Sequence, residues 1–179
     1  GPVAWVDGYK GKALGFNGAT GYVMVPDAPS LQLQGGLTLA AWIYYNGSTV
    51  SQHLISKPHP TKQWGYCYLL CIIGTEYEGA AYYRPDSILF LLSFDNGDDD
   101  FVLYTDPMPR NTWIHLAATY DGHYMKLYIN GKEAASKTCE GKTIITSNHP
   151  LYIGTMDSEQ LWWKPAFHGN IDEVQVWNV

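Results

Sequence analysis

At 179 residues and 46% hydrophobic content the chain is sized for one domain spanning 1–179, with enough apolar material for a continuous core. A formal charge of −6, with only 11 Lys and Arg scattered among 17 Asp and Glu, argues against nucleic acid or anionic lipid as partner, because phosphate binding needs clustered cations. No run reaches the ~20 apolar residues that cross a bilayer, so membrane insertion is not expected.

In chain order, residues 1–12 read as an irregular lead-in anchored by Trp5, with Gly1-Pro2 open to being a cloning remnant. Residues 14–17 and 22–26 are expected to form a hairpin around Gly18 to Gly21, ended by Pro26-Asp27-Ala28-Pro29, with one helical turn at 30–33. Residues 37–45 read as a core strand stopped by Asn46-Gly47-Ser48, also a glycosylation sequon. Residues 50–57 follow, with Leu54 and Ser56 on one face and Ile55 on the other. A Pro-rich loop over 57–63 leads into a strand at 64–73. The Tyr-dense run 75–85 crosses an exposed sheet face or forms a rim loop. Residues 87–95 and 101–105 pair about Asn96-Gly97.

Residues 113–120 form an unbroken β-branched and aromatic run, turned by Asp121-Gly122 into 124–129 and turned again by Asn130-Gly131. In the second of these strands Met125, Leu127 and Ile129 share one face, and Lys126, Tyr128 and Asn130 the other. Strands at 144–146, 151–154 and 171–177 complete the chain, with a long loop over 156–167. Short, closely spaced strands without an amphipathic helix predict an all-β fold: an antiparallel β-sandwich with jelly-roll connections.

Trp113, His115, Ala117, Tyr120, Asp121 and Gly122, followed by Tyr128, Asn130 and Gly131, match the pattern W-x-H-x-A-x-x-Y-D-G then Y-x-N-G. Ala13-Leu14-Gly15-Phe16-Asn17-Gly18, Gly21-Tyr22-Val23-Met24-Val25-Pro26, Leu37-Thr38-Leu39-Ala40-Ala41-Trp42-Ile43 and the closing Gly169 to Asn178 fall in the same order. With these segments the chain resembles the laminin G-like, concanavalin A-like jelly-roll family. The resemblance implies a structural Ca²⁺ held by Asp172, with Asn17 and Gly18 as its neighbours. Ca²⁺ takes six to eight oxygens, and such a site would tie the first strand to the last. The alternative is that Asp172 caps a bend or accepts backbone N–H groups.

Asp95 to Asp100 places five oxygen-bearing side chains around one glycine, but the spacing departs from the EF-hand loop, so the run reads as an acidic hairpin tip. Cys67 and Cys71, on one strand, would share a face about 13 Å apart and cannot bridge. A bond from Cys139 to one of them and three buried thiols are the two readings left.

Seven Trp and 14 Tyr exceed what a core of this size needs, which points to rings that stack on sugars or partner proteins. Two places mix rings with hydrogen-bonding groups: Trp64, Tyr66, Tyr77, Tyr82, Tyr83 and Arg84, and Gln160, Trp162, Trp163 and His168. The retaining glycosidase pattern E-x-D-x-x-E is missing from the chain. A lyase would need Tyr82, Arg84 and His168 to meet. The expected function is therefore a non-catalytic carbohydrate-binding module of a larger secreted or cell-surface protein, tethered to other domains. Adhesion to protein or glycoprotein is the alternative.

Overall fold

The strand Trp113–Tyr120 buries Ile114, Leu116, Ala118 and Tyr120 and leaves Trp113, His115, Ala117 and Thr119 half-buried on its other side. That is the period-two pattern of a sheet with one face on a core. The computed structural model describes residues 3–63, 65–74, 84–156 and 166–178. Its strands in chain order are β1 (Ala4–Asp7), β2 (Lys12–Asn17), β3 (Val23–Val25), β4 (Leu37–Tyr45), β5 (Gln52–Pro58), β6 (Tyr66–Ile72) and β7 (Ile88–Ser93). They continue with β8 (Asp99–Tyr104), β9 (Trp113–Tyr120), β10 (Tyr124–Ile129), β11 (Lys132–Thr138), β12 (Leu151–Ile153) and β13 (His168–Trp177). A single 3₁₀ turn over Pro29–Leu31 is the one helical element among the described residues.

Two antiparallel sheets stack as expected. One has seven strands in the order β1-β2-β13-β4-β9-β10-β11, the other six in the order β3-β12-β5-β6-β7-β8. First and last segments meet directly, with Phe16 opposite Gly169 and Leu14 opposite Ile171. Between the sheets, Leu37, Leu39, Ile43, Leu116 and Tyr120 pack against Leu54, Leu70, Ile72, Phe90 and Leu92, all fully buried. Each large aliphatic side chain removed from water this way contributes about 1.5–3 kcal/mol.

Four local expectations are corrected. β2 and β3 are not a hairpin: β2 lies in the larger sheet and β3 in the smaller, so residues 18–22 cross from layer to layer. The lead-in contains β1, and Trp5, inward by register but at the sheet edge, is 73% exposed instead of anchored. Residues 144–146 supply only a bridge from Ile144 to Phe94. In β5 and β6, bulges break the alternation. Leu54 and Ile55 both reach the main core, while Cys67 faces inward and Cys71 outward despite their even spacing. All three cysteines are buried, and none is joined in a disulfide.

The two sheets differ on their outer sides. On the smaller sheet Tyr66, Leu69, Cys71, Leu89 and Met156 form a second buried apolar cluster. The larger sheet keeps its outer side open.

Candidate functional site

The outer face of the larger sheet is written into the odd–even pattern of its central strands. β4 turns Leu39, Ala41, Ile43 and Tyr45 inward and leaves Thr38, Trp42 and Tyr44 outside, and β9 does the same with Trp113, His115 and Thr119. Register sets these residues in rows. Tyr44 is opposite Trp113, Trp42 lies between Asp172 and His115, and Ala40 lies between Gln175 and Ala117. Thr38 lies between Trp177 and Thr119.

A ring from outside the sheet completes the group. The turn joining β1 to β2 runs through Gly8 and Gly11, the latter at φ 69°, with the Gly8 N–H donating to the Gly11 carbonyl at 3.0 Å. Tyr9, 53% exposed, lies flat on Trp42 with ring centroids 3.5 Å apart and an interplanar angle of 11°. Its edge is turned to Trp113 at 6.4 Å. Trp113 meets Tyr44 edge-on at 5.7 Å, and Trp42 meets His115 at 5.2 Å. Burial lowers the pKa of His115, which favours its neutral form.

Asp172 holds this turn. Its Oδ2 accepts the Lys10 N–H at 2.9 Å and its Oδ1 accepts the Glu173 N–H at 2.8 Å. Glu173 sits at φ 48° in the bulge of β13. A Cβ on Gly8 would fall 2.6 Å from Asp172 Oδ2, so the approach demands glycine.

The expected metal residues are not brought together. Asn17 lies opposite His168, four residues along β13 from Asp172, or about 13 Å at strand spacing. Its side-chain oxygen accepts the N–H groups of Ala19 and Thr20 at 3.0 and 2.9 Å, and the Gly18 N–H donates to the Phe167 carbonyl. Among the described residues no group of three or more His, Cys, Asp and Glu is arranged to hold a metal. As placed, Asp172 is a backbone acceptor, and the Asn17 and Gly18 side of β2 lies away from it.

The acidic run is a hairpin tip in which Asp98, Asp99 and Asp100 are paired with lysines. Asp98 and Asp100 bind Lys142 at 3.1 and 2.7 Å, Asp100 also binds Lys137, and Asp99 binds Lys62 at 3.0 Å. Burial alone would raise the Asp100 carboxyl, but hydrogen bonds from Lys137, Lys142 and Cys139 hold it at about 2.

Trp64, Tyr82, Tyr83, Gln160, Trp162 and Trp163 lie outside the described residues, as does Tyr77. Of the same two groups, Arg84 and His168 are exposed, and Tyr66 is buried in the outer apolar cluster of the smaller sheet. Sequence reasoning passed over Tyr9, Trp42, Tyr44, Trp113 and Trp177. The signal for Trp42, Tyr44 and Trp113 was parity: large rings at positions that alternate with a buried aliphatic run. No sequence signal placed Tyr9 above Trp42.

Comparison with known proteins gives the same architecture. Over 68 residues, 37% of its length, the chain is 34% identical to mouse pappalysin-1 and spans about 4% of that protein. Domain 4 of an extracellular GH43 arabinanase from Geobacillus stearothermophilus, solved in complex with arabinotriose, superposes with a TM-score of 0.68 at 22% identity. That match covers 99% of this chain and 76% of the other. Domains LG4-5 of the mouse laminin α1 chain superpose with a TM-score of 0.66 at 14% identity, covering 97% and 41%. The laminin G family model of the concanavalin A-like lectin/glucanases superfamily matches residues 17–179, and the chain belongs to that superfamily.

Proposed function

We propose that this chain is a non-catalytic carbohydrate-binding module of a longer extracellular protein, and that it takes glycan on the outer face of its larger sheet. The observation that carries this is the group Tyr9, Trp42, Tyr44 and Trp113 on a face left open to water. Sugar rings offer apolar C–H faces to such side chains, while hydroxyls find partners at the edges. The arabinotriose complex of the structurally similar arabinanase domain supports the ligand class. A binding role is supported over hydrolysis by the pairing of two carboxylates on this sheet. Asp172 is held by two backbone amides and Glu133 by Lys126 at 3.0 Å, so neither is free as an acid or base.

Screening on a glycan array, followed by calorimetry on the best ligand, tests the assignment. Trp113→Ala is expected to lower affinity about tenfold, or ~1.4 kcal/mol, with the melting temperature little changed. Silence on every glycan, or full affinity in the variant, would overturn it. Binding to a glycoprotein that survives enzymatic deglycosylation would favour adhesion to protein instead.

A further inference from the structure

We propose that the ligand of this face is an uncharged, linear glycan bound along its interior, lying lengthwise from the Tyr44–Trp113 pair to Trp177. This rests on the carbohydrate-binding reading above and adds the shape and charge of the ligand. Tyr44 and Thr38 stand at the two ends of the patch, six residues or about 20 Å apart along β4. Trp177, opposite Thr38 and 59% exposed, supplies a ring at the far end, its indole N–H donating to Gln175 Oε1 at 3.2 Å.

Between the rings the floor is low. Ala40, Ala117, Thr38 and Thr119 occupy the two rows from Ala40 to Trp177, so a chain stacked on Tyr9, the ring that covers Trp42, can continue over them. The threonine hydroxyls and the Gln175 carboxamide lie where sugar hydroxyls would need partners. Among the described residues, two cavities of about 290 and 280 Å³ lie away from this face, lined by residues such as His59, Lys62, His149 and Pro150. A terminal sugar is recognised by enclosure, whereas an open strip with rings at both ends suits the middle of a polymer.

The charge of the face selects among polymers. Lys126 is neutralised by Glu133 at 3.0 Å, His115 stands beside Trp42 as a neutral ring, and Asp172 is buried on its two amides. Among the described residues of these strand rows no cation lacks a counter-ion, Lys10 standing off them in the β1–β2 turn, so a uronate or sulfate lying along the rows would be desolvated without a partner.

Calorimetry on the unmodified chain with neutral arabino-, xylo- and gluco-oligosaccharides from disaccharide to hexasaccharide, beside an oligogalacturonate series, tests this. In the neutral series that binds, affinity is expected to climb at least tenfold from disaccharide to pentasaccharide and then level off. Trp177→Ala should cut pentasaccharide affinity about tenfold and leave the disaccharide unchanged, with Trp177→Phe restoring most of the loss. Equal affinity at all lengths, or indifference of the pentasaccharide to Trp177→Ala, would overturn the lengthwise mode while leaving the carbohydrate reading intact. Tighter binding of the acidic series would overturn the neutral ligand. Failure of every oligosaccharide would remove the carbohydrate reading and this inference with it.

Discussion

The carboxylate of Asp172 accepts the amides of Lys10 and Glu173, and Tyr9 stands one residue before the first of them. A charged acceptor on β13 therefore fixes a ring in the β1–β2 turn, and that ring covers Trp42. Asp172→Ala would leave both N–H groups without their acceptor, at a cost of about 1–3 kcal/mol readable by urea denaturation. It should weaken glycan binding too, because the turn that carries Tyr9 is released. Tyr9→Ala separates the two effects. Its side chain is half exposed, so affinity should fall at nearly unchanged stability. Unchanged affinity in Tyr9→Ala would show that Tyr9 covers the platform without belonging to it. The sequence offered both roles for Asp172, metal ligand or amide acceptor. Choosing between them needed the position of Lys10, 162 residues away along the chain.

Strand by strand, legibility follows regularity. β4, β9 and β10 are read correctly because each keeps strict alternation, and β10 is turned at both ends by glycine-bearing pairs, with Gly122 at φ 88° and Gly131 at φ 77°. β5 and β6 are misread because a bulge inserts one residue and reverses which side chains face the core. That reversal leaves His53 opposite Cys71 on the outer side of the smaller sheet, buried edge-on against Tyr66 with ring centroids 5.3 Å apart. Burial lowers its pKa to about 4. The folded ring thus stays neutral where the unfolded chain, near 6.5, takes up a proton. Stability is complete above about pH 6.5 and is lost as pH falls toward 4, by up to roughly 3 kcal/mol. Urea midpoints between pH 7 and 4.5 should show this loss, and His53→Phe should flatten it. His59 and His115, also lowered by burial, leave a remainder. The Asp100 network with Lys137 and Lys142 acts in a separate window. That carboxylate is depressed to about 2, so its contribution is present above about pH 4 and lost below it.

Over the whole molecule, the sandwich and its antiparallel order were legible from turns and alternation, whereas the meeting of first and last strands was implied only by the family resemblance. Which sheet would present an open outer face was not legible. The buried cluster of Tyr66, Leu69, Cys71, Leu89 and Met156 and the exposed rings of Tyr9 and Trp177 have similar apolar sequences and opposite fates. The same asymmetry bears on what closes the sandwich. β13 pairs with β2 over four positions and with β4 on its other side, while Asp172 ties the β1–β2 turn to the same strand. Closure is therefore made by backbone hydrogen bonds and one carboxylate, with Asn17 and Gly18 capping a turn elsewhere. A ligand that binds only the native state must raise the melting temperature by mass action. Saturating glycan is thus expected to raise it, whereas millimolar calcium and EDTA should both leave it unmoved and leave glycan affinity unchanged. A melting temperature that rises with calcium and falls with EDTA would mean that a cation, held by oxygens other than this trio, shares in joining the first strands to the last.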